Sequence, residues 1–195
     1  EFDPGRDDLY SNLGFGLLGH ALELAAKQSL DQLLKELICE PLNLEHTTIH
    51  IDENHSVATG YSTPPQLPES HSYRQRLAGS GGLVTSAGDL ARFLAAHMET
   101  GLFSDEMLAE LHSPTELSGG TQINRALGWS IDARSPSGRI LSKNGGRGNA
   151  GAWIGFAPDD ELGVAVIANI GAPDVDPIGR WLLERSVPGG WRPAT

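Results

Sequence analysis

The 195 residues hold a single cysteine, Cys39, which excludes an internal disulfide framework and a paired-cysteine metal site. No run of about 18 apolar residues occurs, so no membrane-spanning helix is expected. Positive charge is scarce: 14 Lys and Arg stand against 25 Asp and Glu, a net charge of −11. A surface of that sign repels phosphate backbones and anionic lipid, which argues against nucleic acid as a partner. No secretory leader is visible and the chain opens without methionine, so the sequence decides neither for the periplasm nor for the cytoplasm. There is no internal repeat and no low-complexity tract. HExxH is also absent. His46 and His50 have the i,i+4 spacing of helical metal ligands, but "HTTIHI" is β-branched and reads as extended chain.

What is present divides by period. Ser11 reads as the N-cap of a helix whose apolar stripe is Leu13, Leu17, Leu18, Ala21, Leu22 and Leu24. Gly14, Gly16 and Gly19 each cost about 1 kcal/mol against alanine in a helix. Three of them point to close packing against a neighbouring backbone. Ser29 and Gln32 form a capping box for a second helix, which Pro41 is expected to stop. Residues 43–78, with Pro64, Pro65 and Pro68, read as irregular. Ser86 and Asp89 form another capping box, for a helix through Leu90, Phe93, Leu94 and Met98 that Gly101 should end. Ser104 opens a short helix ending near Pro114.

From there the period becomes two. Residues 126–133, 139–144, 151–158 and 162–170 read as strands, joined by turns at Ser135–Gly138 and Pro158–Asp160. Connections this short make the sheet antiparallel. "LGVAVIAN" is apolar almost throughout and is expected to be a central strand covered on both faces. Residues 177–186 read as a closing helix. The expected fold class is α+β, with a mostly helical part over 1–122 and an antiparallel sheet with its closing helix over 123–195.

Three stretches bear on chemistry. Tyr10-Ser11-Asn12 is a helix start, yet a tyrosine there can also act as a general base when a cation stands near it in space. Lys143, at a strand end before Gly145 and Gly146, supplies such a cation. The same edge offers backbone N–H groups for an oxyanion. "AGSGG" around Ser80 has the A-x-S-x-G form of a nucleophile elbow, but an elbow needs a strand before it and "SHSYRQRL" makes a poor one. A glycine-rich loop beside a cleft fits Ser80 better.

These pieces resemble one family: the class C serine β-lactamases with the related DD-peptidases and penicillin-recognising esterases. "PGRDDLYSNLGFGLLG" is similar to its Y-[SA]-N segment, "EPLNLEHTTI" to the P-L-x-L-x-x-T stretch that follows, and "GSGGLVTSAGDLARFL" to its G-G-L-x-[ST]-T segment. "KNGGRGNAGAWIGFAPDDELGVAVIAN" resembles its K-T-G strand and the two strands after it. The order is the family's, over residues 2–170. The resemblance implies an α/β sandwich of the β-lactamase/transpeptidase-like type. It also implies a serine hydrolase cleaving amide or ester bonds through an acyl-enzyme, with a β-lactam or D-Ala peptide among the possible substrates and no cofactor or metal. Tyr10 would exchange protons with the nucleophile and the leaving group, and Asn12 would bind the substrate's amide side chain. Lys143 would support the tyrosine and a substrate carboxylate, and the Gly146 N–H would form half of the oxyanion hole.

Two departures stand out. Asn144 occupies the place of the usual threonine, which bears on carboxylate recognition. And S-x-x-K, the family's nucleophile motif, occurs nowhere: three residues before Lys27, Lys35 and Lys143 stand Leu24, Gln32 and Ile140. The resemblance therefore implies a C-terminal portion of a longer domain, incomplete without its N-terminal helix and strands. The missing segment, or a second copy, is then expected to be its partner, and the chain alone to be inactive. A non-catalytic binding or scaffold protein of the same fold is the rival reading. A third, an autonomous hydrolase using Ser80, predicts that the chain itself is acylated.

Overall fold

The computed structural model describes residues 2–53, 55–62, 68–69, 78–99, 101–135, 138–171 and 175–186. Its centre is an antiparallel sheet of β3 (Ser130–Ser135), β4 (Gly138–Arg147), β5 (Ala150–Ala157) and β6 (Leu162–Ala168), each paired with the next. The side chains alternate between two covered faces, as a pleated strand requires. On one face Leu141 and Phe156 pack with Trp129, Ile131 and Leu94 of α4 (Ala87–Ala95). On the other, Ile140, Trp153 and Ala157 pack with Val175 and Leu183, the latter from α6 (Asp176–Ser186). Arg180 of α6 also reaches across to Asp132 of β3 at 2.8 Å. A sheet between helices is the expected α+β sandwich.

Serine caps explain where four helices start. Ser11 Oγ accepts from Gly14 N–H at α1 (Asn12–Ala26), and Ser29 and Gln32 close a full capping box at α2 (Leu30–Leu34). Ser86 caps α4, and Ser104 caps α5 (Asp105–His112). In each the side-chain oxygen meets an N–H that has no partner within the helix.

Several expectations need correction. Pro41 does not stop the second helix. A π turn over Lys35–Cys39 follows α2, and Pro41 lies within α3 (Glu40–Leu42), which ends at Asn43 with φ of +54°. Glu40 N–H reaches back five residues to Lys35 O. That wider turn accommodates a proline that has no N–H to give. Asp89 does not complete a reciprocal box. Its buried carboxylate instead accepts from His46 N–H and Thr47 Oγ1, both at 2.8 Å, and from Arg92 at 3.0 Å. Helix α4 ends at Ala95, well before Gly101.

Strand β6 is not central: it is the last strand of the described sheet, and Ile167 is 39% exposed. The 43–78 stretch is not wholly irregular either. Thr48 bridges Val84, and β1 (Gly60–Tyr61) pairs with β2 (Pro68–Glu69). Tyr61 also exchanges hydrogen bonds with Asn169 and Gly171 beyond β6. Pro64, Pro65 and the "SHSYRQ" stretch lie outside the described residues.

Helix α1 buries two of its three glycines and exposes its leucines. Gly16 and Gly19 are buried, whereas Leu13, Leu17, Leu18, Leu22 and Leu24 are exposed. A Cβ on Gly19 would lie 3.1 Å from Gly79 Cα, in the 3-10 turn Ala78–Ser80. The close backbone approach read from the three glycines is therefore made at Gly19. Gly14 does not share it, since a Cβ there would meet only Ser11.

Candidate active site

The start of α1 is held against the sheet by its own preceding loop. Ser118 N–H donates to Gly5 O at 2.8 Å, and Arg125 links Asp8, at 3.1 Å, to Ser130 at the start of β3, at 2.6 Å. These ties carry Tyr10 to the middle of β4, because Lys143 lies within the strand, which runs on to Arg147, and not at its end as expected. The Tyr10 hydroxyl donates to Asn12 Oδ1 at 2.9 Å, and Lys143 Nζ lies 5.3 Å from the centroid of the Tyr10 ring. A cation over a ring at that distance is attracted by its negative face. Tyr10, Asn12 and Lys143, 131 residues apart at their closest in sequence, thus form one cluster. Tyr10 is 68% exposed, so the cluster opens to solvent.

Among the described residues, the strand beside it has an open edge. The pairing of β3 with β4 ends at Ser130–Ser142, while β4 continues against β5 from Lys143 to Arg147. Along that half, every second N–H and C=O points away from β5. Gly145 shares the Lys143 face, and a Cβ there would meet nothing within 4 Å. Gly146 pairs with Gly151 across the ladder. The open edge, the lysine and the space over Gly145 make a place where an extended group can lie and present a carbonyl to backbone donors.

Asn144 points to the other face, where its Nδ2 donates to Asp176 Oδ2 at 2.9 Å. Ser80 stands apart from the cluster. Its turn packs on α1 between Phe15 and Gly19, three to seven residues past Asn12. Sequence reasoning missed Asp8 and Arg125, which tether the Tyr10 segment, and Asp176, which holds Asn144. Each acts across a long separation and leaves no local signature.

A second polar cluster is buried beneath the sheet. His97 Nδ1 and His112 Nε2 are 3.0 Å apart, and both residues are under 5% exposed. Phe93, Phe103, Trp129 and Phe156 surround His97. Burial, with the neighbouring His112, pushes the His97 pKa down to about 4, and burial with Arg139 nearby lowers that of His112. Burial also raises the Cys39 thiol, with Asp89 adding to it. Among the described residues no group of three or more metal-binding side chains occurs.

Fold and cluster together define the sandwich of the β-lactamase/transpeptidase type, with a helix-start tyrosine facing a strand lysine. The family model "Beta-lactamase" matches residues 1–188, and the chain belongs to that family. A beta-lactamase of Pseudomonas fluorescens is 25% identical, over 90% of this chain and 58% of its own length. The D-alanyl-D-alanine-carboxypeptidase/endopeptidase AmpH of Escherichia coli is 24% identical, over 84% and 46%. The octameric penicillin-binding protein homologue from Pyrococcus abyssi superposes with a TM-score of 0.81 at 24% identity, over 94% of this chain and 43% of its own. That likeness shows the fold. The chain spans about half the length of the curated relatives it matches.

Proposed function

We propose that these residues carry the proton-transfer and substrate-binding part of a serine hydrolase that cleaves amide or ester bonds through an acyl-enzyme. The nucleophilic serine comes from a segment outside the 195 residues. The observation that supports this most is the meeting of Tyr10, Asn12 and Lys143 beside the open edge of β4. The exposed leucines of α1 agree with it, because an apolar helix face of that size calls for a cover.

In the reaction the serine oxygen bonds to the substrate carbonyl carbon and passes its proton to the Tyr10 oxygen while the Tyr10 hydroxyl gives its own proton towards the leaving-group atom, so the phenol stays neutral. The C–N or C–O bond then breaks, and the leaving group takes the proton the phenol gave. Water repeats the sequence on the acyl-enzyme and releases the acid. Lys143 stabilises negative charge developing beside the phenol, Asn12 orients the hydroxyl, and N–H groups of the 143–147 edge receive the carbonyl oxygen. Relatives named as a beta-lactamase and a D-alanyl-D-alanine carboxypeptidase make β-lactams and D-Ala peptides the first substrates to try, with simple esters.

Steady-state hydrolysis of an activated ester by the intact protein tests the roles. Tyr10→Phe and Lys143→Met are each expected to lower kcat by about 100-fold or more. Unchanged kcat in both would remove the cluster from the chemistry and favour a binding or scaffold role.

A further inference from the structure

Asn144 and Asp176 decide which end of an amide the open strand offers to a ligand. Asn144 is exposed and stands on the open half of β4, one residue past Lys143. Its Nδ2 donates to Asp176 Oδ2 at 2.9 Å, from the first residue of α6. A carboxylate only accepts, so the amide must turn its nitrogen to Asp176. That leaves the carbonyl oxygen Oδ1 as the group Asn144 can offer to something lying along the edge. A threonine hydroxyl at this place would offer a donor, as a carboxylate needs. Here the edge offers an acceptor, backed by a carboxylate.

Resting on the hydrolase reading above, we propose that Asp176 is a positioning residue for specificity: by fixing Asn144 it selects substrates whose flanking group is a hydrogen-bond donor, a protonated amine above all, over those with a carboxylate. Lys143, on the opposite face of the strand, is left to the Tyr10 proton transfer. Asn144 is exposed, so water softens the mismatch and the preference should be about tenfold rather than the far larger factor of a buried site.

Three p-nitrophenyl esters of equal length, whose acyl chains end in an ammonium, a carboxylate or a methyl group, test this on the intact protein. The wild type is expected to prefer the ammonium ester to the carboxylate ester by about tenfold or more in kcat/KM. The ratio of the two is read within each variant, so the fraction folded cancels. Asp176→Ala frees the amide to turn and should bring the ratio to within about twofold of unity, through KM. Asp176→Asn still presents a carbonyl to Nδ2 and should keep most of the preference. Asn144→Thr should reverse it. A wild-type preference for the carboxylate ester, or a ratio unmoved by Asp176→Ala, overturns the proposal while methyl-ester turnover leaves the hydrolase reading standing. No turnover of any ester overturns both.

Discussion

Acidification should unfold this protein early, and His97 sets by how much. In the folded state His97 is caged by four aromatic rings, one nitrogen faces His112, and Nε2 has no hydrogen-bond partner among the described residues. A second proton would place a charge there with no water around it. Its folded pKa is therefore depressed from 6.5 to about 4. Between those values the unfolded chain binds the proton and the folded one does not, so stability rises with pH across the window. The full contribution is present above pH 6.5 and is lost as the pH falls towards 4. A shift of that size corresponds to about 3 kcal/mol, a large part of a domain's stability. Urea unfolding of the intact protein, followed by Trp129 fluorescence at a series of pH values, measures it. His97→Gln keeps a polar group beside His112 but cannot be protonated. The variant should be the weaker protein at neutral pH and should lose about 3 kcal/mol less on acidification. Carboxylates that titrate at the low end act on both proteins alike. Parallel stability curves would refute the reasoning, for they would mean that His97 already carries its proton or reaches water when folded.

Three glycine substitutions separate packing from function. Gly19→Ala drives a Cβ towards Gly79 Cα and Leu30, and should destabilise by about 1–2 kcal/mol after the helix gain of alanine is subtracted. Gly14→Ala, which meets only Ser11, should be neutral or stabilising in the same thermal melt. Gly145→Ala fills open space and should leave the melting temperature unchanged. Its kcat/KM for an activated ester should fall about tenfold or more if the proposed substrate position is right, because the methyl would stand in it.

Legibility followed the range of each interaction. Ser11, Ser29, Ser86 and Ser104 act within three residues, and the sequence alone placed four helix starts on them. The four strands and their antiparallel order were legible from alternation and short turns. Helix ends were harder: Pro41 looked like a stop because proline has no N–H, and only the π turn before it shows how the helix continues. The apolar run of β6 signalled two covered faces, and both are packed, with Val164 and Val166 on the α6 side and Ala165 on the α4 side; what it did not signal is that β6 is the last strand of the described sheet. In the site, Asn12 is two residues from Tyr10, and Lys143 was a candidate cation by residue type that the family resemblance singled out. Asp8–Arg125 and Asn144–Asp176 were not readable at all, since an ion pair and a side-chain hydrogen bond spanning 117 and 32 residues have no pattern along the chain.

The central claim is that this cluster serves a nucleophile supplied from elsewhere in the protein. Acylating the intact protein with a fluorescent penicillin or an activated ester, and mapping the modified peptide, tests it most directly. The account predicts an adduct on a serine outside these 195 residues, formed much more slowly by Tyr10→Phe and Lys143→Met. An adduct on Ser80, or labelling of the 195-residue chain by itself, would contradict it.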